Sequence, residues 1–210
     1  MRKLPLILAA LLALSACVPG RVQVDSISSV GSDEVLLVGR IELVPPLDPR
    51  EQVLGKQAEQ LRGKAHAVIA DKWLELDGKS FSTYSAGAIV ELGRDFYVSQ
   101  RRTKELYYSG SIVLTRSTAR SPDPDWIELP GGIKFKIGAA DRAVYLGTIR
   151  YHRDAYNGIT DVEFIDEYEQ ANREYVKRFG EQIKLRPAFP QPVKKLQAGL
   201  EELRQVWGLR

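Results

Sequence analysis

Apolar and polar residues alternate along most of the chain, and that period of two predicts strands. The clearest run is Glu34–Val44. Val35, Leu37, Ile41 and Leu43 share one face, while Leu36 and Val38 share the other with Arg40 and Glu42. Its first half is apolar on both faces, the pattern of a central strand. Pro45-Pro46 ends it, because proline has no amide proton to give to a ladder. Upstream, Val22 and Val24 alternate with Arg21, Gln23 and Asp25, so a short strand over 21–27 competes with a flexible tether over 17–33 that Pro19-Gly20 favours. Downstream, Val53, Leu54, Ala58 and Leu61 predict a short helix over 50–62, ended by Gly63. Residues 65–70 read as a strand on the alternation of His66, Val68 and Ala70, although Ala65, Ile69 and Trp73 fit a helix.

From there the pattern is consistently strand-like. Val90, Leu92, Phe96 and Val98 alternate with Glu91, Gly93 and Tyr97, and Leu106, Tyr108, Ile112 and Leu114 with Tyr107, Ser109, Ser111 and Val113. Trp126–Leu129 and Ile133–Ile137 are expected to pair as a hairpin around Pro130-Gly131-Gly132. A second hairpin joins Val144–Tyr151 to Ile159–Phe164, with Asn157-Gly158 at its tip, since Asn-Gly accepts the positive φ values of a type I′ turn. A two-residue turn sets Tyr156 opposite Ile159, Tyr151 opposite Phe164 and His152 opposite Glu163. Tyr145, Ile149, Tyr151 and Phe164 then share the core face.

The period changes near Ile165. Tyr168, Ala171, Tyr175 and Phe179 form a helical stripe over 165–179, with Asp166 and Glu167 in the first turn, Lys177 and Arg178 in the last, and Gly180 as the residue after the cap. Past Pro187, Pro190 and Pro192, a second helix over 192–207 presents Val193, Leu196, Leu200, Leu203 and Trp207 on one face. Strands first and helices last predict a mainly β fold, an antiparallel β-sandwich over 34–164 with a helical C-terminal region over 165–210. The architecture is similar, by fold-level analogy alone, to immunoglobulin-like or transthyretin-like sandwiches.

The first seventeen residues change the picture from fold to address. Arg2 and Lys3 precede an apolar run, Leu4–Leu14, that is too short to cross a hydrocarbon core, which takes about 20 residues. It reads as a secretion signal over 1–16. Leu14-Ser15-Ala16-Cys17 resembles the lipobox of bacterial lipoproteins. That resemblance implies cleavage between Ala16 and Cys17, a diacylated Cys17 sulfur and an acylated new N-terminus. Several chains give stable attachment, since each buried methylene contributes about 0.8 kcal/mol and one chain alone is marginal. Val18, where inner-membrane proteins of that class carry Asp, implies the outer membrane, facing the periplasm.

Composition agrees. Cys17 is the only cysteine, so no intramolecular disulfide forms and the fold must hold by packing. Cleavage leaves 194 residues, enough for a real core. The net charge of +3 falls to +1 without Arg2 and Lys3, which gives no nucleic-acid footprint.

Candidate chemistry is sparse. His66 and His152 are the two histidines, without zinc-ligand spacing, and His152 with Glu163 reads as a cross-strand surface pair. His152-Arg153-Asp154 matches the catalytic-loop tripeptide of protein kinases, but Asn157 follows Asp154 by three residues rather than five and no Gly-rich phosphate loop exists. Asp154, Asp161, Glu163, Asp166 and Glu167 form an acidic cluster that reads as solvated charge, calcium being the alternative. Asp123-Pro-Asp125 reads as a turn. Ser109-Gly110-Ser111 lacks the spacing of a nucleophile elbow, and Tyr84, Tyr97, Tyr107 and Tyr108 read as sheet packing, or otherwise as a sugar- or peptide-binding face.

The expectation is a non-enzymatic binding or assembly module with no cofactor and no metal. Its anchor is Cys17 and its partner-binding face is the stripe Val193, Leu196, Leu200, Leu203 and Trp207, whose other use is docking on its own sandwich. The alternative is a carboxylate-based envelope hydrolase on the same scaffold.

Overall fold

The computed structural model describes residues 23–54, 59–70, 88–114 and 126–192. Strands are β1 Glu34–Val44, β2 Lys64–Ala70, β3 Ala88–Glu91, β4 Asp95–Arg101, β5 Glu105–Val113, β6 Trp126–Lys136, β7 Ala143–Arg153, β8 Ile159–Ile165, β9 Leu185–Pro187 and β10 Gln191–Pro192. One helix, α1, covers Tyr168–Phe179. One sheet runs β4-β1-β7-β8 with β9 added to β7, and the other runs β10-β6-β5-β2-β3. The mainly β, two-sheet sandwich is as expected.

Two cores follow from the two faces of β1. Val35, Leu37, Ile41 and Leu43 join Leu106, Ile112, Ile127 and Phe135 of the opposite sheet in the sandwich core. Leu36 and Val38 point outward, where Tyr97 and Tyr145 meet Ala171, Tyr175 and Phe179 of α1. The first sheet is thus buried on both sides, and Val35 to Val38 have no exposed surface. The α1 stripe is the expected one, and Asp166 accepts from the Tyr168 amide at 3.0 Å in place of a side-chain N-cap. Within 165–192, α1 is followed by β9, which joins the first sheet, and β10, which joins the second.

Several connections differ from expectation, each for a local reason. Pairing is not purely antiparallel, because β7 runs parallel to β1 and β9 parallel to β7. Between β1 and β7 the chain forms β2, β3, β5 and β6 of the second sheet and β4 of the first, so the two strands can enter side by side in one direction. The run around 90–98 is two strands in different sheets, broken where Gly93 adopts φ 73° and gives its amide to Ile41 O at 2.8 Å. Pro130-Gly131-Gly132 is not a turn. It is a bulge inside a continuous β6, where pairing jumps from Tyr108↔Ile133 to Gly110↔Leu129. A bulge suits a proline that has no ladder proton, and the Tyr151 hydroxyl donates to the Pro130 carbonyl at 3.1 Å.

The β7–β8 hairpin has a five-residue tip, 154–158, rather than a type I′ turn. Asp154 decides it. Its carboxylate accepts from the amides of Tyr156 and Gly158 at 2.8 and 2.9 Å, and only Asn157 has positive φ there. The register is therefore Tyr151↔Val162, His152↔Asp161 and Ile149↔Phe164. A second bulge, at Gly147 with φ 90°, inserts one residue against β1. It turns Tyr145 to the α1 side while Ile149 and Tyr151 face the sandwich. Phe164, expected in the core, is 45 % exposed on the edge strand.

The helix expected over 50–62 is reduced, among its described residues, to a 3-10 turn at Glu59–Leu61, with Val53 exposed. From Gln23 the segment expected as tether is docked. Val24 and Val30 are buried in the outer core, and the Val24 amide donates to Tyr97 O at 2.7 Å. No regular strand forms over residues 23–27. The helix expected over 192–207 and its residues Val193, Leu196, Leu200, Leu203 and Trp207 lie outside the described residues, as do Ala16 and Cys17.

Candidate functional site

The strands carry the charged residues to two ends of the sandwich, and the ends differ in sign. Residues 33–34, 101–107, 134–142 and 184–186 meet where β1 and β7 begin, through the pairs Glu34↔Arg101 and Glu105↔Lys136 and the bond from Ile137 N–H to Lys104 O at 2.9 Å. They hold eight lysines and arginines against four carboxylates. At the opposite end, residues 45–54 and 150–163 hold five carboxylates against three arginines.

A shallow groove of about 560 Å³ opens at the basic end, lined by Thr103, Lys104, Glu105, Tyr107, Lys136 and Ile137. Sheet alternation builds it, because Glu105, Tyr107, Lys134 and Lys136 leave the outer face while Leu106, Tyr108, Ile133 and Phe135 enter the core. Glu105 is already engaged. It accepts from Lys134 at 3.0 Å and from the Tyr107 hydroxyl at 2.8 Å, and these bonds hold its carboxyl below the usual range. Arg101, Lys104, Lys136 and Lys184 are exposed and make no ion pair among the described residues. Arg102 spends its guanidinium on the carbonyls of Ser32, Glu34 and Ala139, which neutralise nothing.

Arg186 clamps Asp141 with two nitrogens and also donates to Lys136 O at 2.9 Å. Burial works to raise the Asp141 carboxyl, but the Arg186 bonds and the Gly138 amide more than offset it, so its pKa is lowered. A depressed carboxyl contributes stability above its unfolded value and loses it as pH falls through the folded one. Asp141→Asn is therefore expected to lose on the order of 1 kcal/mol at neutral pH. The gap between the two proteins should close as pH falls below about 4. Urea unfolding across that range checks this, and a gap that is flat with pH would contradict it.

The acidic end is locked by Arg153, whose side chain is 5 % exposed. It binds both Glu51 oxygens at 2.6 and 2.8 Å and the carbonyls of Pro45 and Pro46, and also donates to Asn157. The sequence did not single out Arg153 as a clamp, because Glu51, Pro45 and Pro46 lie over a hundred residues away. The acidic cluster is not a cage. Asp154 caps the hairpin tip, Glu163 accepts from Arg150 at 3.2 Å, Asp166 caps α1, and Glu167 accepts from Thr148 at 2.7 Å and Arg40 at 3.2 Å. His152 approaches Glu163 at 3.5 Å, diagonally rather than as its strand partner.

One row was not foreseen. His66 pairs with Ser111, and Ser111 with Glu128, so the three stand abreast on β2, β5 and β6. The serine lies in the middle, whereas a triad needs the histidine between serine and carboxylate, and no hydrogen bond joins them. Burial lowers the His66 pKa. Tyr97 packs under α1, Tyr108 is buried in the sandwich and Tyr107 lines the groove. Tyr84 and Asp123-Pro-Asp125 lie outside the described residues.

No protein-family model, curated protein sequence or solved structure matches this chain.

Proposed function

We propose that the chain is a lipid-anchored protein of the cell envelope, held by acyl groups on Cys17 and acting at the periplasmic side of the outer membrane as a non-enzymatic binding or assembly module. The observation that carries this reading is Leu14-Ser15-Ala16-Cys17 at the end of an eleven-residue apolar run behind Arg2-Lys3. Val18 after the cysteine supports outer-membrane sorting. Among the described residues no helix is long and apolar enough to cross a membrane. The partner contact is assigned to the stripe Val193, Leu196, Leu200, Leu203 and Trp207, an amphipathic series with leucine spacing suited to a groove. The hydrolase alternative has no arrangement of side chains in its favour among the described residues.

The test follows the protein in cells. With a photo-crosslinking residue at Leu200, the native chain should sediment with membranes, take up labelled palmitate and capture a discrete envelope protein. Cys17→Ser should lose the label and move to the soluble periplasmic fraction. Membrane sedimentation of Cys17→Ser that survives a high-salt wash would sink the anchor, and the absence of any captured protein would sink the partner-binding stripe.

A further inference from the structure

The body that the anchor would hold is electrically polar. Five residues, 18–22, lie between Cys17 and Gln23, the first residue described. Six Cα steps span at most about 20 Å. Val24 is bonded to Tyr97, and from there the N-terminal segment runs along the first sheet to Asp33, whose carbonyl accepts from the Arg102 amide at 2.8 Å. Tyr97 lies four residues along β4 from Arg101, about 13 Å. Tyr97 pairs with Val38 in the middle of β1, so both ends of the sandwich are within reach of the bilayer to which Cys17 would be fixed, and charge distinguishes them: the basic end carries the excess of lysines and arginines. The opposite end, with its excess of carboxylates, would be repelled by an anionic surface.

We propose that the basic end of the sandwich, centred on Lys104 and Lys136, rests on the anionic phosphate headgroups of the bilayer that holds Cys17. This rests on the lipid-anchor reading and adds to it an orientation. The groove is lined by both lysines with Tyr107 and with Glu105, whose carboxylate is engaged by Lys134, and Arg101 and Lys184 are further exposed cations of the same end. Tyrosine suits the headgroup level, with a polar tip and an apolar body. The acidic end and the β7–β8 hairpin then point away from the membrane, free for contacts in the periplasm.

The test uses the mature chain carrying Cys17→Ser, so that no acyl chain contributes. It should cosediment with vesicles containing phosphatidylglycerol and not with vesicles of phosphatidylcholine alone. Binding should weaken as salt shortens the screening length. Each lysine near an anionic surface contributes about fivefold to partitioning, so Lys104→Gln with Lys136→Gln together should weaken it about 25-fold. Both side chains are exposed, Lys136 standing across the ladder from Glu105, and an unchanged circular dichroism spectrum should show that the fold is retained. Arg50→Gln, at the acidic end, should bind as the parent does. Equal binding to both vesicle types, an undiminished double variant, or competition by inorganic phosphate at constant ionic strength would overturn the proposal. If the unlipidated protein ignores phosphatidylglycerol while native Cys17 still takes up palmitate, the orientation fails and the anchor stands. If Cys17 takes no palmitate, both fail.

Discussion

Leu37→Ala is expected to lower the unfolding free energy by about 2–5 kcal/mol, a large part of the whole for a marginally stable domain. Leu37 has no exposed surface and sits in the middle of β1, paired with Val98 on one side and Val144 on the other. Truncation leaves a cavity between the two sheets, and β1 cannot shift to fill it without disturbing the ladders to β4 and β7. Leu36→Ala, one residue away, opens the other core, between the first sheet and α1. Its loss should fall in the same range, because Leu36 is equally enclosed. The measurement is urea unfolding of the soluble Cys17→Ser protein. The midpoint should fall in both variants with little change in slope, and the melting temperature by about 2–4 °C per kcal/mol. A Leu37→Ala loss under about 1 kcal/mol would mean that the sandwich interior is not packed as described.

That both faces of β1 are buried was legible in the sequence, because apolar residues at adjacent positions leave a strand no solvent face. Most other strands were legible for the simpler reason of alternation. What alternation cannot carry is direction and partner. Nothing in Val144–Tyr151 distinguishes a strand paired parallel to β1 from one paired only in a hairpin, and the difference lies in a crossover of about a hundred residues. The face assignments failed where a bulge changed the count. Tyr145, Ile149 and Tyr151 have the same parity, and only the extra residue at Gly147 sends the first to α1 and the others to the sandwich. Turn chemistry was overridden twice. Asp154 offers two backbone bonds to the hairpin tip and outcompetes Asn157-Gly158, and Pro130-Gly131-Gly132 is absorbed by a ladder continuing on both sides.

The basic end was illegible for a related reason. The whole chain is close to neutral, so its sign pattern gives no signal along the sequence. Lys104, Lys136 and Lys184 come together only after β5, β6 and β9 have found their places. The address behaves differently. A lipobox is read in linear order by an enzyme at the membrane, so Leu14-Ser15-Ala16-Cys17 needs no fold to be recognisable.

Arg40→Met should be about as damaging as the core truncations, for an electrostatic reason. Arg40 is 16 % exposed and bonds Asp95 at 2.8 and 2.9 Å and Glu167 at 3.2 Å, with Glu42 at 3.7 Å. Burial disfavours the charged guanidinium, but Asp95, then Glu167 and Glu42, more than offset that and raise its pKa. The arrangement fastens the start of α1 to the sheet, because Glu167 also accepts from Thr148, and its own amide donates to the Tyr145 hydroxyl at 3.0 Å. Removing the cation leaves Asp95 and Glu167 without their guanidinium partner in a partly dry site, while Glu42 keeps Arg150 at 2.8 Å, and this costs about 3 kcal/mol. Glu167→Gln in the Arg40→Met background should restore part of the stability, while alone it should be destabilising, since it removes one acceptor of a partly buried network. A double-mutant cycle in urea measures that coupling, and additive losses would show that Arg40 and Glu167 do not act together.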